Sequence, residues 1–126
     1  MRLHQSGEDY LEAILILRQQ KGTARSVDVA QYLGFTKPSV SRAMSILKEE
    51  GYVEVLSSGE LRLTQEGERV AETMYERHRL FSEWLTRLGV PPETAANDAC
   101  RIEHALSEES FACIKQFIAG LSEKKE

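Results

Sequence analysis

After Gly51 the hydrophobic period of this chain changes, and that change narrows the folds open to it. Before it, apolar residues recur at three- and four-residue spacing, the signature of helices packed on one face. Tyr10, Ala13, Ile14 and Leu17 mark a first helix over residues 7–20, ended by Lys21-Gly22. Ser26 then caps a short helix whose apolar positions are Val27, Val29, Ala30 and Leu33. Gly34 closes that helix and Phe35 turns inward. Thr36 caps a third helix with Pro38 in its first turn; Val40, Ala43, Met44 and Leu47 form its buried side, and Gly51 stops it. Beyond Gly51 the segments 52–55 and 61–63 are short and rich in strand formers. The turn-like Ser57-Ser58-Gly59 lies between them, so they read as a hairpin. Helix, helix, turn, helix, two-stranded ribbon is the order of a winged helix-turn-helix.

The helical period then returns. Thr64 caps a long helix to about residue 88, with Val70, Met74, Phe81, Trp84, Leu85 and Leu88 as its buried side. Gly89-Val90-Pro91-Pro92 breaks it. A fifth helix is expected over 92–106, and Ser107 caps a sixth ending near 121. The fold class is therefore mostly α, with a winged helix-turn-helix over 1–63, a helical domain over 64–122 and a frayed tail over 123–126.

Charge leaves the question of a nucleic-acid partner open. The net charge is −4, but the excess of acid lies wholly after residue 63; residues 1–63 carry eight basic and eight acidic side chains. No apolar run approaches the roughly 20 residues that span a bilayer. The N-terminus carries no apolar signal segment, and two cysteines are too few for a disulfide framework. A cytoplasmic protein without a membrane partner is expected.

If the third helix enters a major groove, its core residues leave Lys37, Ser39, Ser41, Arg42 and Ser45 facing outward. Small hydroxyls allow close approach, Arg42 can fork to a guanine or a phosphate, and Lys37 can pair with phosphate. The full candidate set is Arg25, Ser26, Thr36, Lys37, Pro38, Ser39, Ser41, Arg42 and Lys48. The hairpin tip at 57–60 is a weaker candidate, because Glu60 repels a phosphate backbone. The plain alternative is a solvated helix face.

A second constellation lies in the run Cys100-Arg101-Ile102-Glu103-His104. On a helix, Cys100, Glu103 and His104 stand at i, i+3 and i+4 and project from one face. A thiolate, a carboxylate and an imidazole together suit a borderline transition metal. Asp9 and Glu12, spaced i, i+3 on the first helix off its apolar stripe, and His78 inside the long helix make six candidate ligands. Each has an ordinary reading: a first-turn acid partners the helix dipole, His78 sits between Arg77 and Arg79 on a charged helix, and Cys100 is a small core residue. His4 is left out of the set. Cys113, among Phe111, Ile114, Phe117 and Ile118, reads as buried core. No serine sits in a nucleophile elbow and no glycine-rich phosphate loop is present, so an enzyme is not expected.

The chain resembles the diphtheria toxin repressor and manganese transport regulator family, bacterial metal-dependent transcriptional repressors. The likeness is carried by Gly7-Glu-Asp-Tyr-Leu-Glu-Ala-Ile, Lys37-Pro-Ser-Val-Ser-Arg, Tyr75-Glu-Arg-His-Arg-Leu and Asn97-Asp-Ala-Cys-Arg-Ile-Glu-His. It implies a winged-helix DNA-binding domain followed by an all-helical dimerisation domain, acting as a homodimer on double-stranded operator DNA at metal-uptake genes. The length resembles the short, manganese-type form. By the resemblance, Asp9 corresponds to a ligand that is carboxylate in manganese-type members and methionine in iron-type ones. Glu12 and His78 match manganese-type ligands, and Glu103 and His104 match ligands of both types. Cys100 stands where manganese-type members carry glutamate and iron-type members carry cysteine. The main site implied is Asp9, Cys100, Glu103 and His104, with Glu12, His78 and Glu103 as a second. An iron-type ancillary site is incomplete, with Ala96 where a histidine is needed beside His78 and Glu83. Cys100 tilts the expected cofactor toward Fe2+ over Mn2+. The alternatives are a metal-independent winged-helix interaction module and a small metal-dependent hydrolase, the latter without any substrate pocket for a small organic molecule.

Overall fold

The structure, a computed structural model, describes residues 5–124. In chain order the elements are α1 (Gln5–Lys21), β1 (Ala24–Arg25), α2 (Ser26–Leu33), α3 (Lys37–Glu49), β2 (Val53–Val55), β3 (Glu60–Leu63), α4 (Gln65–Arg87), α5 (Pro92–Ile102) and α6 (Glu108–Lys124). The chain forms two units, Met1–Tyr75 and Glu76–Glu126, and the boundary falls inside α4. His4 and residues 125–126 of the expected tail lie outside the described residues, while α6 continues as helix to Lys124, past the expected end near 121. Among the described residues no helix is long and apolar enough to cross a membrane.

The first unit is built around α1. Its buried set runs Tyr10, Leu11, Glu12, Ala13, Ile14, Leu15 and Leu17, so the helix is covered on more than the single expected stripe. Val29 and Ala30 of α2, Val40, Met44 and Leu47 of α3, and Val53, Leu61 and Ala71 complete this core. Thr36 caps α3 as expected, its hydroxyl oxygen accepting the Ser39 N–H at 3.3 Å. Gly34 closes α2 at φ 74°, a conformation that only glycine adopts without strain.

Three local expectations are corrected. The α2 cap is Arg25, not Ser26: the Arg25 N–H donates to the Asp28 carboxylate at 3.0 Å, and Ser26 is already the first helical residue. Phe35 does not turn fully inward; it is 47 % exposed and rests its ring edge on Tyr10, 5.8 Å between centroids. Val27 is also exposed. An eight-residue helix buries too narrow a face to cover every apolar position it carries.

The ribbon has a third strand that its length hid from a reading of periodicity. β1 pairs antiparallel with β3, Ala24 opposite Leu61 and Arg25 opposite Glu60, and the sheet order is β1-β3-β2. Two residues carry no alternation to detect. The start of α4 is held close to this sheet. The Thr64 hydroxyl accepts the Gly67 N–H at 3.1 Å and donates to the Gly51 carbonyl at 2.6 Å. A Cβ on Gly67 would lie 2.0 Å from the Tyr52 carbonyl oxygen, so this approach requires glycine. Arg18 of α1 grips Glu68 of α4 through two N–H groups, the first at 2.8 Å. That hydrogen bond holds the Glu68 carboxyl below the ordinary glutamate range.

The second unit has its own core, Phe81, Ala99 and Phe111, with Leu80, Ile102, Leu106 and Ile114 packed around it. The Phe81 and Phe111 rings meet edge to face at 6.0 Å. Leu88 lies beyond the end of α4 and is exposed rather than buried. Cys113 is likewise exposed, against its reading as core. Helix geometry gives the reason: α6 buries Phe111 and Ile118, and a residue two positions after Phe111 lies about 200° around the axis. Phe117, 66 % exposed, shares in this outward placement.

Candidate metal centre and nucleic-acid interface

α5 ends earlier than its apolar pattern implies. Ile102 is the last helical residue, Glu103 is the C-cap, and residues 103–105 form a turn. Glu103 keeps helical angles (φ −57°, ψ −28°) and its N–H bonds to the Ala99 carbonyl at 3.0 Å. Cys100 and Glu103 therefore remain one helical turn apart on a shared face. The next bond tightens, with the Ala105 N–H donating to the Ile102 carbonyl at 3.0 Å. His104 thus stands on a turn, not on the helix expected to 106.

The side chains meet at Glu103, which is fully buried. His78 Nδ1, from α4, lies 2.9 Å from Glu103 Oε1. His104 Nε2 lies 3.6 Å from Glu103 Oε2, with the His104 side chain almost wholly covered. One donor atom each from His78, Cys100 and Glu103 falls within 4.8 Å of the others. Cys100 is exposed, so this group reaches solvent at its sulfur end. A buried carboxylate is costly unless a cation or strong donors balance it. Nitrogen, sulfur and oxygen donors gathered on such a carboxylate fit a borderline divalent metal.

Asp9 and Glu12 belong to the first unit, one turn apart on α1. Asp9 is half-buried. Glu12, expected off the apolar stripe, is buried.

Sequence reasoning passed over Arg77, grouping it with Arg79 on a charged surface. The side chain is buried, and Arg77 Nη1 donates to the main-chain carbonyls of Glu103 at 3.0 Å and Leu106 at 2.6 Å. The signal was available: Arg77 lies three residues after Met74 and four before Phe81, on the stripe that those two define.

On the first unit, Thr36, Lys37, Pro38, Ser41, Arg42, Ser45 and Lys48 are all exposed along α3, opposite Val40, Met44 and Leu47. Two other candidates are already engaged within the fold. The Ser39 hydroxyl accepts from Thr36 at 2.8 Å, and the Arg25 guanidinium donates to the Ser58 carbonyl at the hairpin tip. Ser26 is half-buried. At the same tip Glu60 is paired with Arg62 at 3.3 Å, which offsets its repulsion of a phosphate.

Residues 2–59 match the family model described as the iron dependent repressor N-terminal DNA binding domain. Residues 64–125 match that of the iron dependent repressor metal binding and dimerisation domain. Transcriptional regulator MntR of Escherichia coli O157:H7 is 38% identical over 110 residues, covering 87% of this chain and 71% of that protein. HTH-type transcriptional regulator MntR of Bacillus subtilis (strain 168) is 33% identical over 118 residues, 94% of this chain and 83% of that one. Among solved structures, T. acidophilum IdeR superposes with a TM-score of 0.75 at 32% identity, covering 93% of this chain and 55% of that one. A manganese-dependent transcriptional repressor in complex with manganese gives 0.79 at 27%, over 90% and 52%. The chain spans about half the length of these two solved chains.

Proposed function

The chain belongs to the iron-dependent repressor family of metal-responsive transcriptional regulators, which is not an enzyme family, and on that premise we propose that it is a cytoplasmic homodimer that binds operator DNA at metal-uptake genes when loaded with Fe2+ or Mn2+. The observation that carries the reading is the gathering of His78, Cys100 and Glu103 on one fully buried carboxylate in the unit matched by the metal-binding model.

By the family resemblance, Asp9 and Glu12 join Cys100, Glu103, His104 and His78 as ligands. Unliganded, Asp9, Glu12 and Glu103 are three carboxylates whose mutual repulsion opposes a fixed arrangement of the DNA-binding part. A bound divalent cation supplies the charge that cancels this repulsion. Its effect on DNA affinity equals its preference for the DNA-competent arrangement. In a two-fold dimer, that arrangement sets the two α3 helices about 34 Å apart, one turn of B-DNA. Arg42 then reads a base edge or phosphate, Lys37 and Lys48 neutralise phosphates, and Arg25 braces the hairpin tip.

The solved manganese complex is a precedent for Mn2+. Cys100 weighs the other way, because a thiolate favours Fe2+ over the harder Mn2+. Fe2+ is the metal proposed first, with Mn2+ second. A gel-shift assay with a promoter of a metal-uptake gene, run with Fe2+, Mn2+ or a chelator, tests the reading. Retention that requires metal supports it; retention unaffected by the chelator, or none under any condition, ends it.

A further inference from the structure

Arg77 and His78 are neighbours on α4, and both reach Glu103. His78 meets its carboxylate. Arg77 Nη1 donates to its main-chain carbonyl at 3.0 Å and to the Leu106 carbonyl at 2.6 Å. Those two carbonyls bracket the non-helical stretch that carries Glu103 and His104. Arg77 is only 4 % exposed, and its guanidinium carbon lies over the Phe111 ring, 5.1 Å from the centroid. Its Nε is buried with no hydrogen-bond partner among the described residues.

This is a costly residue for a core. Burying a guanidinium forfeits much of its hydration, and here one of its N–H groups is not compensated. An apolar side chain would fill the Met74–Phe81 stripe at less expense. A guanidinium offers what no apolar residue can: a rigid planar head that donates to two carbonyls while stacking on a ring. A cation at the end of α5 also answers the partial negative charge of its last carbonyls. Because Arg77 and His78 are adjacent, one stretch of α4 sets both the backbone and the carboxylate of Glu103.

We propose that Arg77 is the positioning residue of the metal-binding turn, tying down the main chain of residues 103–106 so that Glu103 and His104 hold their donor atoms in place. The proposal rests on the metal-centre reading above. Its test is a titration of the purified full chain with Co2+ alone, followed by absorption, in Arg77→Lys, Arg77→Met and a Phe81→Leu control. Phe81 packs on the same Phe111 ring but has no donor to offer the turn. Mutating a group that supports a metal ligand typically costs about 10–100-fold in affinity, so Arg77→Lys should bind Co2+ about 10–100-fold more weakly. Arg77→Met should lose at least as much, and Phe81→Leu should bind as wild type despite lower stability. Hydrogen exchange at the Ala105 amide, which bonds to Ile102, gives a metal-free readout. It should quicken in both Arg77 variants and not in the control. Wild-type Co2+ affinity and unchanged Ala105 exchange in Arg77→Lys would overturn the proposal, as would a control that loses affinity in step with its stability. If Arg77→Met does not fold, Arg77→Lys decides. If the wild-type chain itself binds no Co2+, the metal reading fails, and Ala105 exchange alone decides whether Arg77 orders the turn.

Discussion

His78 Nδ1 meets Glu103 Oε1 at 2.9 Å, joining the middle of α4 to the C-terminal cap of α5. The contact places an imidazole on a fully buried carboxylate, and the charge of that carboxylate is what a cation would answer. Glu103→Gln keeps the shape and a hydrogen-bonding oxygen but removes the charge. The expected outcome is loss of metal-stimulated operator binding with helicity and dimer retained. His104→Ala should behave alike. Gel shifts with and without metal, beside circular dichroism and size-exclusion chromatography, check it; wild-type metal dependence in either variant removes that residue from the site.

In the proposed site, Cys100 is the soft donor. Cys100→Glu replaces a thiolate with a carboxylate, so operator binding should shift in favour of Mn2+ relative to Fe2+. Metal titrations of DNA retention under anaerobic conditions measure the ratio. An unchanged ratio would mean that the sulfur does not touch the metal.

Arg42 and Lys37 should fail differently on DNA. If Arg42 forks to a guanine, Arg42→Ala costs about 1–3 kcal/mol at the operator and little on unrelated sequence. Lys37→Ala should weaken all sequences alike and lower the salt slope by about one. Binding isotherms across a salt series separate the two, and an equal loss on all DNA for Arg42→Ala would make it a phosphate contact.

The Arg18–Glu68 pair ties α1 to α4 and gives a pH dependence of stability. Hydrogen bonding to Arg18 lowers the Glu68 carboxyl in the folded chain. Its contribution is therefore complete above the unfolded glutamate range and lost as pH falls through the lower folded value. Both side chains are about a third exposed or more, so solvent discounts the pair to about 0.5–1 kcal/mol. Urea unfolding of Glu68→Gln should show that deficit at neutral pH and none in acid. A deficit that persists in acid would assign the loss to packing.

Much of the first unit was legible because its signals are local. Thr36, Gly34 and Gly51 mark helix ends by hydrogen bonding and backbone angle, and Val40, Met44 and Leu47 mark a buried side by period alone. The missed strand Ala24–Arg25 has no such signal; it exists because β3 offers it an edge. Phe35 was misplaced for a related reason: a hydrophobic residue beside a helix end is buried only if another element covers it, and none does so fully here. Cys113, inside α6, stands on the side of the helix away from the buried Phe111.

The sequence by itself determined which residue types are available for metal chemistry, their one-turn spacing around Cys100 and Glu103, and the exposed cationic and hydroxyl face of α3. Those follow from helical period, which residues carry within themselves. Only the tertiary structure decided that α5 stops at Ile102, that His78 meets Glu103, and that Arg77 is buried beneath the turn. The last two depend on groups 25 or more residues apart along the chain. A charge next to a charge reads as surface until a distant carbonyl is brought within reach of it.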